Sequence, residues 1–329
     1  MKVLVVGGAG YIGSHMVHTL VQSGINVVVL DDLSGGCANA VIGAELIIGT
    51  TANQVLLHDV FKKHRFDAVM HFASFIEVSE SLIDPSRYYS NNVSHTISLL
   101  DAMRTADINR LIFSSTAAVY GTPSQDLITE SHLTAPINPY GRSKLMVEQI
   151  LEDYDSAYGF KSVCLRYFNA AGSAPGTGLG ERHHPETHLI PLVLQAASGR
   201  RSHISIFGND YDTHDGTCVR DYIHVLDLCQ GHLLALRYLL DGGPSDCFNL
   251  GSGKGFSVAE VVESARRISQ RRIPIRHESR RGGDPSRLVA DASKARSTLG
   301  WAPRHSSLDE IIQDSWAWEH GYPWTHLNV

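Results

Sequence analysis

The sequence GGAGYIGSH at residues 7–15 follows an apolar run at residues 3–6, and it decides how the first half of the chain folds. Gly7, Gly10 and Gly13 are spaced three residues apart, where a first strand is expected to turn into a first helix. Glycine at such a turn allows a positive φ, a close approach of a ligand to the backbone, and tight packing of the helix on the strand. The start of the helix then offers N–H groups and a positive dipole end to a phosphate. The pattern therefore predicts a dinucleotide-binding turn.

A carboxylate indicates which dinucleotide this turn would take. Asp31 ends a second apolar run, eighteen residues after Gly13. A carboxylate at that place accepts hydrogen bonds from the hydroxyls of an adenosine ribose and repels a 2′-phosphate. The following stretch DLSGGCAN, residues 32–39, holds no Arg or Lys that could neutralise such a phosphate. We therefore predict NAD rather than NADP as the cofactor.

Short apolar runs alternate with helical stretches through the first half of the chain, which is typical of a doubly wound parallel (Rossmann) sheet in an α/β protein. The predicted strands are 3–6, 26–30, 45–48, 68–72, 111–114 and 163–167, and the predicted helices are 12–23, 53–63, 87–105 and 139–158. After residue 169 the composition changes to a long Gly- and Pro-rich stretch. We expect a first domain at 1–169, to which a segment at about 209–242 returns, and a smaller, discontinuous C-terminal α/β domain within 170–329.

Composition and charge exclude several classes of partner. The chain of 329 residues carries a formal net charge of −6, and no apolar run has the length of a membrane-spanning helix. We therefore expect a cytoplasmic protein that binds neither nucleic acid nor a membrane. The five cysteines form no C-x-x-C pair and suggest free thiols in a reducing compartment.

The histidines at residues 183, 184 and 188 are the densest group of possible metal ligands. Because no spaced Cys or carboxylate set accompanies them in this interpretation, we expect no metal there.

The candidate catalytic residues are Thr116, Tyr140 and Lys144. Thr116 lies in SSTAAVYG, residues 114–121, at the carboxyl end of a predicted strand. Tyr140 and Lys144 are four residues apart in PYGRSK on a predicted helix, so their side chains share one face. A phenol is a poor base at neutral pH, but an adjacent ammonium and a positive nicotinamide ring both favour the phenolate. The spacing therefore indicates Tyr140 as a general base, Lys144 as its partner and Thr116 as a hydrogen-bond donor to the reacting oxygen.

This order of motifs resembles the extended short-chain dehydrogenase/reductase family over nearly the whole chain. Within that family it is most similar to the UDP-galactose 4-epimerase branch. The stretches that carry the resemblance are GGAGYIGSH, FSSTAAVYG, NPYGRSK, LRYFNAAG, GTCVRDYIHVLDL and ADASKA. The resemblance implies that the smaller domain binds a nucleotide-sugar and that the protein is an isomerase.

The resemblance also implies binding residues at matching positions. Those implied for NAD are Gly7, Gly10, Tyr11, Ile12, Gly13, Asp31, Asp32, Phe72, Ala73, Asn91, Thr116, Tyr140, Lys144 and Phe168. Those implied for the UDP-sugar are Thr116, Tyr140, Asn169, His188, Leu189, Phe207, Arg220, Arg281, Asp284 and Leu288. Two arginines suit a pyrophosphate, and a carboxylate suits the ribose hydroxyls of uridine.

The activity that the resemblance implies is an NAD-dependent, redox-neutral inversion of the C4 hydroxyl of a UDP-hexose, UDP-galactose or UDP-glucose, through a 4-keto sugar. It further implies a homodimer that pairs through the helices near 87–105 and 139–158. Three alternatives stay open: a 4-epimerase of another UDP-sugar (a UDP-N-acetylhexosamine or UDP-pentose), a net NAD-dependent dehydrogenase, and a non-catalytic NAD-binding protein. A dehydratase is disfavoured because Ala117 and Ala118, after Thr116, cannot transfer protons.

Four positions depart from the family pattern. His188 stands where some members have an Asn. Thr50 stands where many members have an Asp that contacts adenine, and Ile76 stands where some have a Lys. Leu288 occupies the position that is thought to restrict the size of the sugar, and it is intermediate in size between the residues found there in other members. How tightly NAD is held and which sugar is accepted are therefore open at this point.

Overall fold

The computed structural model describes residues 1–123, 125, 127–281, 284–305 and 307–321. The strands are β1 (Lys2–Val6), β2 (Asn26–Asp31), β3 (Glu45–Ile48), β4 (Ala68–His71), β5 (Arg110–Thr116), β6 (Lys161–Tyr167), β7 (Asn169–Ala171), β8 (Ile204–Phe207), β9 (Val219–His224), β10 (Asp246–Leu250), β11 (Gly255–Ser257), β12 (Ile275–Glu278) and β13 (Arg287–Leu288). The helices are α1 (Tyr11–Gln22), α2 (Gln54–Lys63), α3 (Val78–Ile83), α4 (Pro85–Tyr89), α5 (His95–Thr105), α6 (Pro139–Tyr158), α7 (Leu189–Ser198), α8 (Val225–Leu240), α9 (Val258–Ser269), α10 (Ser293–Leu299) and α11 (Leu308–Gly321).

The central sheet has seven parallel strands in the order β3-β2-β1-β4-β5-β6-β10. The chain starts in the middle at β1, winds outward through β2 and β3, and then returns to add β4 on the other side of β1. In a sheet wound this way, ligands bind at the carboxyl ends of the strands where the order reverses. The predicted doubly wound α/β fold is confirmed.

Both faces of the central sheet are covered by helices. Along β1 the side chains alternate between two cores, so that Val5 belongs to one and Leu4 to the other. The first core packs against α1 and α8, with Leu20 and Leu236 as buried members. The second packs against α2, α5 and α6, where Val147 is buried. Burial on both faces explains why the strands read as continuous apolar runs.

The helix predicted at 87–105 is interrupted. The structure has α4, a wider π-type turn at Ser90–Ser94, and then α5. The turn carries the buried Asn92, whose amide donates to Phe75 O (3.0 Å) and to Ser143 Oγ (3.0 Å), while its Oδ1 accepts from Phe75 N (2.9 Å). The extra residue in the turn thus serves to tie α6 to the loop after β4.

A second group of strands forms the smaller part of the molecule. Strand β9 pairs with β7, β11 and β13, while β8 pairs with β12. A separate apolar core lies between α7, α9 and α11, with Val193, Val262 and Ile311 fully buried. Helix α8 packs on α1, and β10, at residues 246–250, is the edge strand of the central sheet. The domain boundaries given above stay a prediction.

Among the described residues, none of the helices combines the length and the apolar character that a membrane crossing requires.

Candidate active site

In the glycine turn after β1, two of the three glycines are packed against neighbouring backbone, and the third has free space beside it. Gly7 has φ +81°, and a Cβ built on it would lie 2.4 Å from Ala73 N. A Cβ on Gly13 would lie 2.0 Å from Gly7 O, because α1 packs directly on the turn. A Cβ on Gly10 would meet only Gly7 O, at 3.6 Å. Packing therefore requires the outer two glycines, whereas the middle one keeps the surface clear.

The N-terminus of α1 faces this clear surface. Gly10 is its N-cap residue and supplies no side chain to the first-turn N–H groups. Such N–H groups and the helix dipole together favour an anion. The turn therefore fits a pyrophosphate, as the glycine spacing predicts.

Asp31 lies at the carboxyl end of β2, directly beside the turn. Its Oδ2 accepts the N–H of Ala9 (2.8 Å), and its Oδ1 accepts the N–H of Leu33 (2.8 Å). Burial raises the pKa of this carboxyl, and the two N–H groups oppose that shift. Asp32 is exposed and accepts from the N–H and hydroxyl of Ser34 instead. Of the two carboxylates, Asp31 is the one that the structure holds rigidly against the dinucleotide turn.

The end of β4 closes the other side of the turn. The N–H groups of Phe72 and Ala73 both donate to Val6 O, at 2.8 and 3.1 Å. Tyr11, the first residue of α1, donates its hydroxyl to Gly172 O (2.7 Å) and so connects the turn to the segment that follows β7. The structure thus brings the predicted cofactor residues of β1, α1, β2 and β4 together at the switch point of the sheet.

Thr116, Tyr140 and Lys144 come together where β5 meets α6. Thr116 ends β5, and its Oγ1 accepts the N–H of Ala118 (3.1 Å). Pro139 and a side-chain cap from Asn138 to the N–H of Gly141 (2.8 Å) start α6 at this point. One turn into the helix, Lys144 Nζ donates to Ser114 O (2.8 Å), which fastens α6 to the end of β5.

Burial determines the electrostatics of this group. It lowers the pKa of Lys144 to about 7, with Glu148 acting in the opposite direction. The pKa of Tyr140 is raised by burial; hydrogen bonding with Thr116 lowers it, and Glu77 raises it further. Tyr140 is therefore held as a neutral phenol by its protein surroundings, and additional positive charge is needed to make it a base.

Two carboxylates near the group were missed by the sequence analysis. Glu148 is buried one turn beyond Lys144 and forms an ion pair with Arg166 on β6, with Nε–Oε1 at 3.0 Å. Its spacing from Lys144 was a usable signal. Glu77 comes from the loop between β4 and α3, and nothing in the local sequence indicates that it acts on Tyr140.

The remaining predicted cofactor residues flank the group. Asn91 donates its amide to Asn92 Oδ1 (3.1 Å) in the π-type turn. Phe168 follows β6 and is buried with Val119 and Tyr120, which come just after Thr116, and Leu288 packs against this cluster. Leu288, predicted to limit sugar size, is thereby joined to the loop that carries Thr116.

The predicted substrate residues form pairs. Arg220 on β9 contacts Asp284 (Nη2–Oδ1 3.0 Å) and donates Nη1 to the carbonyls of Val219 and Pro285, both at 2.9 Å. Leu288 is the register partner of Arg220. The small sheet around β9 also contains Asn169, whose amide donates to Asp221 O (2.8 Å).

A second pair lies on β8 and the loop after β12. The guanidinium of Arg281 stacks 3.8 Å from the centroid of the Phe207 ring. Such stacking leaves the in-plane donors of an arginine available to other groups.

His188 caps the start of α7, directly before Leu189, and it lies among carboxylates. Its Nδ1 is 2.8 Å from Glu181 Oε1 and 3.2 Å from Glu186 Oε1. His183 Nδ1 lies 3.3 Å from Glu181 Oε1 and 3.5 Å from Glu186 Oε2. The expectation that these histidines lack carboxylate partners is wrong. The sequence signal was E-x-H-x-x-E-x-H at residues 181–188, in which both acidic residues stand next to the histidines.

Comparison with known proteins decides the family. The sequence profile of the NAD dependent epimerase/dehydratase family matches residues 3–251. The chain belongs to this family. The matched range contains the glycine turn, Asp31 and the group formed by Thr116, Tyr140 and Lys144.

Relatives within the family match over nearly the full length. The UDP-glucose 4-epimerase of Halalkalibacterium halodurans is 48% identical over 323 residues, which cover 98% of this chain and 97% of that protein. The crystal structure of the UDP-glucose 4-epimerase from Brucella ovis in complex with NAD superposes with a TM-score of 0.94 at 47% identity, covering 96% of this chain and 97% of that chain. The structure of the Bifidobacterium longum enzyme in complex with NAD+ and UDP gives a TM-score of 0.93 at 37% identity, covering 98% and 99% of the two chains.

These findings confirm the resemblance that the motifs carry, down to the 4-epimerase branch of the family. The family is NAD-dependent, and structures of its members have been solved with NAD and with UDP bound.

Proposed function

We propose that this protein is an NAD-dependent 4-epimerase that inverts the C4 hydroxyl of a UDP-hexose, interconverting UDP-galactose and UDP-glucose. The observation that carries the proposal is the group formed by Thr116, Tyr140 and Lys144 at the carboxyl end of β5, two strands from the glycine turn after β1. Because all the central strands are parallel, both features lie at the same edge of the sheet. A base and a dinucleotide site at one edge are what a reversible oxidation of a hydroxyl requires.

The residues around the glycine turn would hold the cofactor. The open surface at Gly10 and the start of α1 would take the pyrophosphate, and Asp31 would accept the adenosine ribose hydroxyls. Bound NAD would supply the acceptor and donor of the hydrogen at sugar C4. The N–H of Ala9, the residue directly before Gly10, holds Asp31 in place.

Tyr140 would remove the proton of the sugar 4-hydroxyl. Its pKa is raised by burial, so it needs a cation close by to act near neutral pH. Two positive charges would be close to Tyr140 in this site, the nicotinamide ring of NAD and the ammonium of Lys144. Thr116 would donate to the same sugar oxygen, because its hydroxyl and that of Tyr140 already interact.

Two arginines would grip the UDP part while the 4-keto sugar turns to present its other face. Arg220 would exchange its contact with Asp284 for a phosphate oxygen, leaving the carboxylate for the uridine ribose. Arg281 would approach the diphosphate while it stays stacked on Phe207. Both arginines are tied to the smaller part of the molecule, so the anchor is independent of the catalytic group.

The size of Leu288 bears on which sugars the site accepts. Leu288 packs against Phe168 and against the loop after Thr116, so it lies close to the catalytic group. A medium-sized side chain there would admit a hexose. An N-acetylated sugar or a pentose would be a secondary substrate. We propose UDP-hexose as the principal substrate.

We further propose a homodimer that pairs through α5 and α6, and a cytoplasmic location. Ile97 on α5 and Met146 and Tyr158 on α6 are exposed apolar side chains, which support such pairing. The five cysteines are free thiols, which suits a reducing compartment.

The chemistry can be tested by running the reaction in D2O with UDP-galactose. We expect UDP-glucose that retains protium at C4 and C5, because the hydrogen that leaves C4 returns to C4 without meeting solvent. A dehydratase would instead lose water across C5 and C6 and take up solvent deuterium. A product with deuterium on a sugar carbon, or a product lacking the elements of water, would contradict the proposal.

A further inference from the structure

A cluster of side chains outside the catalytic group has the composition of a metal site. It consists of Glu181, His183, Glu186 and His188, from the segment between β7 and α7, and is called the Glu–His cluster below. One ligand atom from each residue lies within 4.8 Å of every other. We propose that the Glu–His cluster binds one zinc ion and that this ion holds the segment in place.

The imidazole–carboxylate distances within the cluster are close to those of a tetrahedral coordination shell. Ligands bound at about 2.0–2.1 Å from a tetrahedral zinc ion lie about 3.3–3.4 Å from one another. The four imidazole–carboxylate distances are 2.8, 3.2, 3.3 and 3.5 Å. The four side chains are thus close enough together to surround one zinc ion.

Three of the ligand atoms are buried and are not satisfied by hydrogen bonds. Glu181 Oε1, His183 Nδ1 and His188 Nδ1 have no solvent exposure and form no hydrogen bond of acceptable geometry with any residue that the structure describes. The side chains of Glu181 and Glu186 are each only 6% exposed. Leaving such atoms without partners is costly, and an ion at their centre would satisfy all of them.

Neighbouring groups orient the two carboxylate-bearing residues. Glu186 Oε1 accepts the N–H groups of Thr187 (2.8 Å) and His188 (2.9 Å), which fixes its direction. The carbonyl of Glu181 accepts the indole N–H of Trp318 on α11 (2.8 Å). Ligands held from outside in this way are typical of built metal sites.

The ligand set favours zinc over other common divalent cations. Mg²⁺ and Ca²⁺ prefer oxygen ligands alone, whereas imidazole nitrogens suit Zn²⁺. All four positions are supplied by the chain, which is typical of a structural rather than a catalytic zinc.

The place of the cluster gives the ion a function. His183 contacts the ring of Tyr11 edge-on, with centroids 6.3 Å apart, and Tyr11 begins the helix at the proposed cofactor site. His188 immediately precedes Leu189 at the start of α7, in the proposed substrate region. The ion would therefore fix the segment that links the two halves of the site. Its binding does not depend on the proposed activity.

Metal content tests the proposal directly. The full chain is purified without an affinity tag that binds metal, supplied with Zn²⁺, dialysed against metal-free buffer and analysed by mass spectrometry for metals. We expect one zinc per chain, removable by a chelator with a fall in Tm that added Zn²⁺ reverses. In the stripped protein, Co²⁺ should give the visible absorption of a tetrahedral site. A wild-type chain that retains no zinc and shows no Tm response would overturn the proposal.

A pair of variants locates the ion. His183→Gln should lose the zinc, the cobalt spectrum and the Tm response, whereas His184→Gln, at an exposed neighbouring position, should keep all three. Equal metal content in the two variants would contradict this assignment. Because none of these measurements uses a UDP-sugar, they stand or fall separately from the epimerase assay.

Discussion

The glycine turn after β1 and the segment from Gly172 to His188 meet at Tyr11, yet they are built in different ways. The turn is shaped by backbone crowding, since a Cβ at Gly7 or Gly13 would collide with main-chain atoms. The segment is held by side chains, through the Glu–His cluster and Trp318. Backbone constraints leave a regular spacing in the sequence, whereas side-chain constraints become visible only when the fold brings the groups together.

The largest effect is expected at the catalytic group, whose residues have a regular spacing in sequence. Tyr140→Phe removes the proposed base and keeps the shape, so turnover should fall by about 10²–10⁴-fold while NAD and UDP-sugar still bind. Rates and calorimetric binding are measured in parallel, with Tyr238→Phe, on α8, as the control. Near-normal turnover in the Tyr140 variant would remove Tyr140 from the role of base.

The second test separates packing from ligand approach within the glycine turn. Gly13→Ala places a Cβ against Gly7 O, and we expect a loss of about 1–3 kcal/mol or more in the free energy of unfolding. Gly10→Ala makes only an ordinary van der Waals contact with Gly7 O, so its Tm should stay near that of the wild type while NAD affinity falls. Urea unfolding and NAD titration measure the two effects. If Gly10→Ala bound NAD as tightly as the wild type, the pyrophosphate would have to lie elsewhere.

A smaller effect is expected at Leu288, where the two halves of the site meet. Leu288→Ser should improve turnover of UDP-N-acetylglucosamine relative to UDP-glucose by about 10–200-fold, because a change of a few methylene groups in a pocket is worth about 1–3 kcal/mol. The ratio of kcat/KM for the two sugars is the measurement. An unchanged ratio would show that Leu288 does not border the sugar.

Per pH unit, the smallest effect concerns the buried part of the central sheet. Burial, with a contribution from Lys144, lowers the pKa of His71 on β4 to about 3, below its unfolded value near 6.5. Between these values the unfolded chain binds one more proton than the native chain, so this histidine makes stability fall by about 1.4 kcal/mol for each pH unit of acidification. Below the folded pKa the loss is complete.

Unfolding in urea at pH 7, 6 and 5 checks this sign. His71→Gln should flatten the decline relative to the wild type, whereas His58→Gln, exposed on α2, should leave the slope as it is. The assigned direction of the pKa shift would be contradicted if the wild-type chain gained stability between pH 7 and pH 5 and His71→Gln abolished that gain.

The sequence predicts the regular part of the molecule well, for a physical reason. Six of the seven central strands were predicted as apolar runs, and five of them are buried on both faces, whereas the edge strand β3 is partly exposed. Helix α6 is predicted to the residue, starting at Pro139. Strand β10 was not among the predicted strands. Its sequence DCFNL has no β-branched run, and it is held by pairing with β6, about eighty residues earlier in the chain.

In the site too, the residues with a regular sequence spacing could be predicted, whereas contacts between distant residues could not. The catalytic group could be predicted because Thr116 follows a predicted strand and because Tyr140 and Lys144 are one helical turn apart. The contact between Arg220 and Asp284 joins residues 64 positions apart, and the effect of Glu77 on Tyr140 arises only in the fold. Individual residue roles at NAD and at the UDP-sugar stay predictions.

The central claim, a redox-neutral 4-epimerase, is tested most directly by incubating the purified protein with UDP-galactose without added NAD and following the anomeric proton signals by NMR. We predict conversion to UDP-glucose by the protein as purified, which would also show that NAD is retained although Thr50 replaces a charged adenine contact. Formation of an oxidised sugar, with NADH in an amount equal to the substrate consumed, would indicate a net dehydrogenase, and no formation of UDP-glucose with or without added NAD would contradict the claim.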